Sequence, residues 1–358
     1  MTLFAVGVNH RNTPLAVRER FSVGQSHIPE LLQELLFRGY LEEGVVLSTC
    51  NRFELYGTTA VSKPSLIGLE RFLSERKGIG LGDLEGCWYA YQDEEVVRHL
   101  FEVACGLDSM IVGEAEIQGQ VKNSYETART SGFTGSVTNR LFEKALNAAK
   151  AVREKTGITH GKASIGAFAV EVAQKIFGER LPTKKLLMIG AGEIGKCVSR
   201  RFFSAGVRSI TVASRTYERA LELAKTFEGE AVLLEEIGSN LPECDIVVSS
   251  TKCPRILLHA DTVKEGLSRR RGKPIFFLDL SVPRNIDPAV GRLPQSYLYH
   301  LDDLEKRVAL TCDVRESDLE ACREILDGKV AHFMAWLNAV LGETRWDNPL
   351  ILRSLPVS

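Results

Sequence analysis

Apolar and polar positions along this chain follow three patterns, and each predicts a different element. The opening LFAVGVNH has the apolar character of a strand. Residues 27–39, HIPELLQELLFRG, place apolar side chains at helical spacing, with Gly39 as the stop. Two short apolar runs, VVLSTC and RFELYG, then predict two strands joined by a turn at Cys50. Amphipathic helical spacing returns at 94–107, ending near Gly106, and again after Gly113 up to a stop at Gly132. The run from Ser136 to Gly157 predicts a long connecting helix. Residues 1–157 therefore read as an α+β domain.

From Lys184 the period changes. KKLLMIG, SITVASRT, CDIVVSST and PIFFLDLSVP read as short buried strands, and helical stretches such as GEIGKCVSRRFFSAG and YERALELAKTFEG alternate with them. That alternation predicts βαβ units and a parallel, doubly wound sheet over residues 158–300. Residues 301–358 carry helical spacing interrupted by Gly328, then a tail with two prolines. The fold expected is α/β combined with α+β: an N-terminal catalytic-type domain, a connecting helix, a Rossmann domain and a short helical segment.

Composition narrows the function classes. The chain has 358 residues, 44% hydrophobic and 25% charged, which suits two or three globular domains. A net charge of -1 argues against general affinity for nucleic acid or membrane. The short basic runs Lys184-Lys185 and Arg269-Arg270-Arg271 read as solvated faces. Neither a signal peptide nor an apolar run of about 18 residues appears, so the expected compartment is the cytoplasm. The 8 cysteines are scattered without zinc spacing, which predicts free thiols and no metal site.

Two clusters carry candidate chemistry. Gly190-Ala191-Gly192-Glu193-Ile194-Gly195 matches G-x-G-x-x-G between a predicted strand and a predicted helix, as a dinucleotide site requires. The next strand ends in Ser214-Arg215-Thr216, where an NAD site usually has a carboxylate. Arg215 could pair with a 2′-phosphate, and the flanking hydroxyls add donors, so NADPH is expected.

The second cluster surrounds Cys50. Its neighbours Ser48, Thr49, Asn51 and Arg52 are polar, and a nearby cation favours the nucleophilic thiolate. From the pattern alone, Cys50 reads as either a nucleophile or a small packing residue at a strand end. A downstream patch, HLFEVACGLDSMIVGEAEIQGQVK, is rich in hydrogen-bonding side chains. There Glu114 with Gln118, and Glu116 with Gln120, would each share a helix face. His99 alone is an ordinary helix histidine.

STCNRFELY, HLFEVACGLDSMIVGEAEIQGQVK, IGAGEIGK, VASRT and DLSVPRNIDP, in this order and spacing, resemble the glutamyl-tRNA reductase family, over about residues 3–340. The resemblance implies that Cys50 attacks the ester of glutamyl-tRNA, releases tRNA and holds a thioester. NADPH then reduces this to glutamate-1-semialdehyde, the first committed step of tetrapyrrole (porphyrin and haem) biosynthesis. By position it assigns His99 to catalysis. Thr49, Asn51, Arg52, Ser109, Glu114, Ala115, Glu116 and Gln120 fall in the substrate pocket, Arg52 as a fork on the γ-carboxylate and Glu114 at the α-ammonium. If the two sites lie far apart in the free enzyme, the nicotinamide is expected to reach Cys50 by a domain movement. The aminomutase that consumes the aldehyde is implied as a partner.

Two departures stand out. Ala115 and Glu116 replace the proline and glutamine usual in the family, which bears on the pocket's shape and charge. The helical dimerisation-type segment, 301–358, is short, which weighs against the homodimer implied by the resemblance. Two other readings remain: a non-catalytic paralogue that binds tRNA or a partner, and an NADP dehydrogenase of a small carbonyl compound. STCNR has no task in the latter.

Overall fold

The computed structural model describes residues 1–59, 64–114, 116–158, 165–251, 253–311 and 315–346. It divides into two compact units, Met1–Gly161 with Asp313–Ser358, and Lys162–Cys312.

The first unit is built on an antiparallel sheet of order β2-β3-β1-β4, with β1 Thr2–Asn9, β2 Glu43–Ser48, β3 Arg52–Thr59 and β4 Tyr89–Gln92. β2 and β3 form the expected hairpin, with Thr49, Cys50 and Asn51 at its tip. The central strand β3 is buried along its whole length. Its alternation sends Phe53 and Leu55 to one face and Arg52, Glu54 and Tyr56 to the other. Gly7 of β1 lies between Glu54 of β3 and Tyr89 of β4 in the pairing register. A side chain at Gly7 would collide with the Phe53 carbonyl, so the glycine is what lets the strands close here.

Helices cover the sheet: α1 Leu15–Phe21, α2 Ile28–Phe37, α3 Pro64–Lys77, α4 Glu94–Cys105, α5 Glu116–Thr130 and α6 Ser136–Lys155. α6, expected to connect two regions, is packed into this unit: Leu141, Phe142, Ala145, Ala148, Ala149 and Val152 are all buried. Its alanine stripe allows close approach to α4, the main helix pair of the unit.

The second unit is a parallel sheet of order β10-β9-β8-β5-β6-β7: β5 Lys185–Ile189, β6 Ser209–Ser214, β7 Glu230–Leu233, β8 Ile246–Ser249, β9 Ile275–Asp279 and β10 Ser296–His300. In chain order this is the 3-2-1-4-5-6 arrangement of a Rossmann sheet, with its switch point between β5 and β8. β8 and β9 are buried at every position, which is why they appear as unbroken apolar runs. Its helices are α7 Ile165–Phe177, α8 Glu193–Ser204, α9 Tyr217–Lys225, the short α10 Ile237–Asn240, α11 Ala260–Ser268 and α12 Leu301–Thr311.

One basic run departs from its expected place. Arg270 is 4% exposed, not solvated. Its Nη1 donates to the carbonyls of Pro242 and Cys244, and Nη2 to Asp245 Oδ1 at 2.7 Å. A guanidinium has five fixed donors, so one buried arginine can gather several strand-end carbonyls.

The last helix, α13 Glu316–Trp346, belongs to the first unit. It passes through Gly328 unbroken, because one glycine costs a helix only about 1 kcal/mol. Cys322, Leu326, Val330, Phe333 and Leu337 form a stripe at most 1% exposed. That stripe packs against α4 and α6, with Phe333 edge-on to Phe101 at 6.4 Å. Among the described residues no helix is long and apolar enough to cross a membrane, and the described cysteines are free thiols.

Candidate active site

Cys50 sits half-buried at the tip of the β2–β3 hairpin. Thr49 organises this tip: its N–H bonds the Arg52 carbonyl at 2.9 Å, and its Oγ1 accepts the N–H groups of Asn51 and Arg52, each at 3.2 Å. A threonine hydroxyl bonding forward to the backbone is a standard way to stabilise a tight turn. The Asn51 carbonyl accepts the His10 N–H at 2.8 Å, joining the tip to the end of β1. From α1, Arg18 Nη1 donates to the Cys50 carbonyl at 2.8 Å and to Asn51 Oδ1 at 3.0 Å.

Behind the tip lies a buried charge network. Arg52 is 2% exposed; its Nη1 donates to Glu54 Oε1 at 2.7 Å and Asp108 Oδ2 at 2.9 Å, and its Nη2 to the Asp108 carbonyl at 2.6 Å. Glu54 also accepts from Tyr56 at 2.5 Å, from His99 Nε2 at 3.0 Å, and from Tyr89. Burial alone would raise the Glu54 carboxyl. The charges of Arg52 and His99, with bonds from His99 and Tyr56, outweigh it and hold the group well below the ordinary carboxylate range. Arg52 is driven the other way: burial opposes its charge, and Glu54 and Asp108 more than restore it. His99 is fixed at Nε2 by Glu54 and lies among the rings of Tyr56, Tyr89 and Tyr91. The Gly7 row explains this geometry, because a bare position between Glu54 and Tyr89 lets the phenol cross the strand.

The segment after α4 supplies the opposite wall. Gly106 ends α4 in the left-handed region at φ 77°, and Gly113, at φ 82°, returns its N–H to the Gly106 carbonyl at 2.9 Å. Asp108 and Ser109 are buried in the loop so formed. The Glu114 carboxyl is raised by burial, an effect reduced by Ser109 and by the charges of Arg52 and Arg153. Glu114 precedes α5, so the expected helical pairing of Glu114 with Gln118 does not form. Glu116 and Gln120 do pair, with Gln120 Nε2 donating to Glu116 Oε1 at 3.3 Å on an exposed turn. Ala115 lies outside the described residues.

The structure thus brings Cys50, Thr49, Asn51, Arg52 and His99 to one end of the sheet, with Asp108 tying Arg52 to the Ser109 loop. Sequence reading missed Glu54, Asp108, Arg18 and His10. Glu54 had a legible signal, since it lies two residues from Arg52 and must share its face in a strand. Asp108 stood beside Ser109 in the downstream patch, but nothing in the sequence tied it to Arg52; Arg18 had no signal, since it meets the site only through packing. His10 is lowered to about 4, chiefly by burial and by Arg52, and its Nδ1 is buried without a hydrogen-bond partner.

The second unit carries the glycine turn. Gly190 follows β5 at φ 87° and Gly192 caps α8. A side chain at Gly190, Gly192 or Gly195 would collide with Ser250 at the end of β8. Gly195 N–H is held by Ser250 Oγ at 3.2 Å. The glycines therefore seat the start of α8 on the switch point, where the helix N-terminus favours phosphate. Ala191 lies in the turn, and Glu193 and Ile194 open the helix. Ser214 ends β6, Arg215 is exposed beyond it, and Thr216 caps α9. No carboxylate occupies this strand end, so the residues fit a phosphorylated dinucleotide.

Comparison with known proteins matches both halves. The family described as glutamyl-tRNAGlu reductase, N-terminal domain, matches residues 6–156. The family described as shikimate / quinate 5-dehydrogenase matches residues 171–307. A curated relative named glutamyl-tRNA reductase, from Geotalea uraniireducens, is 39% identical over 340 residues, covering 95% of this chain and 78% of its own. Relatives of the same name from Syntrophus aciditrophicus and Pseudomonas aeruginosa are 40% and 41% identical, covering 95% and 93% of this chain and 81% and 78% of theirs. The solved structure of glutamyl-tRNA reductase from Methanopyrus kandleri aligns at TM-score 0.52 and 32% identity, covering 94% of this chain and 81% of that one.

Proposed function

This chain belongs to the glutamyl-tRNA reductase family, and on that premise we propose that it reduces glutamyl-tRNA to glutamate-1-semialdehyde with NADPH, through a thioester on Cys50. The observation that carries the proposal is Cys50 at a hydrogen-bonded hairpin tip, two residues before an arginine held in a buried acid–histidine network.

The Cys50 thiolate attacks the ester carbonyl carbon. The carbon–oxygen bond to the tRNA ribose breaks, its electron pair stays on the ribose oxygen, and that oxygen takes a proton. His99 is the group for this proton: with Nε2 fixed on Glu54, it exchanges at Nδ1. Glu114, whose ionised form is disfavoured by burial, suits the α-ammonium, whose charge would offset the desolvation. Thr49, Asn51 and Ser109 offer polar groups around the nucleophile. Arg52 has three of its five donors committed to Glu54 and Asp108, leaving Nε and one Nη2 hydrogen for the γ-carboxylate. The fork expected at Arg52 is thus confined to its Nε edge.

The glycine turn, the start of α8 and Arg215 would hold the dinucleotide. When bound, NADPH supplies the hydride that reduces the thioester carbonyl. Splitting the reaction at a thioester helps because a thioester accepts hydride more readily than the starting ester. Cys50 then leaves as thiolate and is restored.

The test is NADPH oxidation on charged glutamyl-tRNA by the purified protein beside its Cys50→Ser variant. The reading requires that only the unaltered protein yields the semialdehyde. Equal turnover by Cys50→Ser would remove Cys50 from the chemistry.

A further inference from the structure

Arg18 is a cation at the nucleophile that the sequence patterns did not single out. It lies in α1, 32 residues before Cys50, and is 4% exposed. Its Nε donates to the Thr13 carbonyl at 3.2 Å, fixing the guanidinium plane against the turn that follows β1. Both Nη1 contacts reach the hairpin tip, one to the Cys50 carbonyl and one to Asn51 Oδ1. The peptide joining Cys50 to Asn51 is thereby gripped at both ends. Its oxygen is held by Arg18 at 2.8 Å and its N–H by Thr49 Oγ1 at 3.2 Å. A trans peptide is planar, so holding both ends fixes its orientation and restricts the direction of the Cys50 side chain.

Charge points the same way. Among the described residues, the other ionisable groups facing this end of the sheet include His10 and Arg11 after β1, Arg52 and Glu54 on β3, Tyr89 and Tyr91 on β4, His99 on α4, and Asp108 and Glu114 in the loop beyond. Arg52 is balanced by Glu54 and Asp108, and Arg11 pairs with Asp108 at 2.6 Å. His10 is held neutral near pH 7, mainly by burial. The Arg18 guanidinium is bonded to the nucleophile's own residue.

We propose that Arg18 positions and activates Cys50: it locks the peptide that aims the thiol and holds a fixed positive charge beside it, which favours the thiolate. Arg18 touches neither substrate nor cofactor in this role. The inference rests on the reading of Cys50 as the nucleophile. It deepens that reading by naming the cation on α1 that holds the nucleophile's own peptide.

The experiment follows Cys50 alkylation by iodoacetamide from pH 5 to 10, read by mass spectrometry of the Cys50 peptide, in the unaltered protein and in Arg18→Met and Arg18→Lys. An ordinary thiol titrates near about 8.5. The unaltered protein is expected to titrate at least about one unit lower, as an opposite charge nearby would cause. Arg18→Met should return the midpoint to the ordinary value. Arg18→Lys keeps charge but not the two-pronged bond, so its midpoint stays low while kcat falls and KM for glutamyl-tRNA holds. A purely structural Arg18 would lower thermal stability and leave the midpoint where it was; that result overturns the inference. An ordinary midpoint in the unaltered protein overturns it too, even if Arg18→Met fails to fold. Turnover by Cys50→Ser would instead count against the nucleophile reading, which separates the two failures.

Discussion

Glu54 is fully buried and accepts bonds from Arg52, Tyr56, Tyr89 and His99, so one carboxylate sets the position of four side chains. Buried ion pairs add little net stability, but breaking one strands its partner in a dry site. Glu54→Gln should cost about 3–5 kcal/mol in urea unfolding and also lower turnover, because His99 loses its fixed tautomer. A variant as stable as the unaltered protein would show that Arg52 needs only Asp108. His10 makes a prediction in pH. Its ordinary value is 6.5 and its folded value is lowered to about 4. Between these the unfolded chain binds more protons, so stability falls as pH drops from 6.5 towards 4. Replacing His10 by Asn should flatten that decline by about 1–2 kcal/mol, allowing for its partial exposure. Unfolding free energies measured across that window will decide it.

At the scale of elements, each cluster depends on a position where the chain has no side chain. Gly7 opens the row across β3, β1 and β4; Gly106 and Gly113 close the loop after α4; and Gly190, Gly192 and Gly195 seat α8 against β8. The end of β6 bears on the proposed preference for NADPH. Arg215 is exposed and, among the described residues, forms no ion pair, so its charge is available to a 2′-phosphate. Arg215→Ala should raise KM for NADPH about tenfold, the worth of one charge-assisted hydrogen bond, and leave NADH kinetics unchanged. Equal losses with both cofactors would assign Arg215 to folding or to the pyrophosphate.

Over the whole molecule, the helices after residue 301 divide between the units. α12 belongs with the parallel sheet, and α13 completes the core beneath α4. α4 carries His99, so α13 supports the helix that holds this proposed catalytic side chain. Arg98 of α4 pairs with Asp327 at 2.5 Å, and Arg140 stacks on Trp336 at 4.4 Å. Phe333→Ala removes a fully buried ring from this contact and should destabilise the first unit by about 3–5 kcal/mol. Calorimetry should show the loss in the transition of the first unit and leave that of the second unchanged.

The local elements and the two halves of the fold are already written in the order of residues. Period-two and period-3.6 patterns mark strands and helices whichever partner they pack on, and the glycine turn is legible because only glycine fits there. Cys50, Thr49, Asn51 and Arg52 were legible as a cluster because they are contiguous in one hairpin. Tertiary structure decided what no spacing could show. Arg18 and Asp108 reach that hairpin from 32 and 56 residues away, and α13 returns to α4 from 229 residues away through Asp327 and Arg98. It also decided which arginines are solvated and which are buried anchors. A charge's role depends on where the rest of the chain lies, and for Arg52 and Arg270 that is wrapped around them.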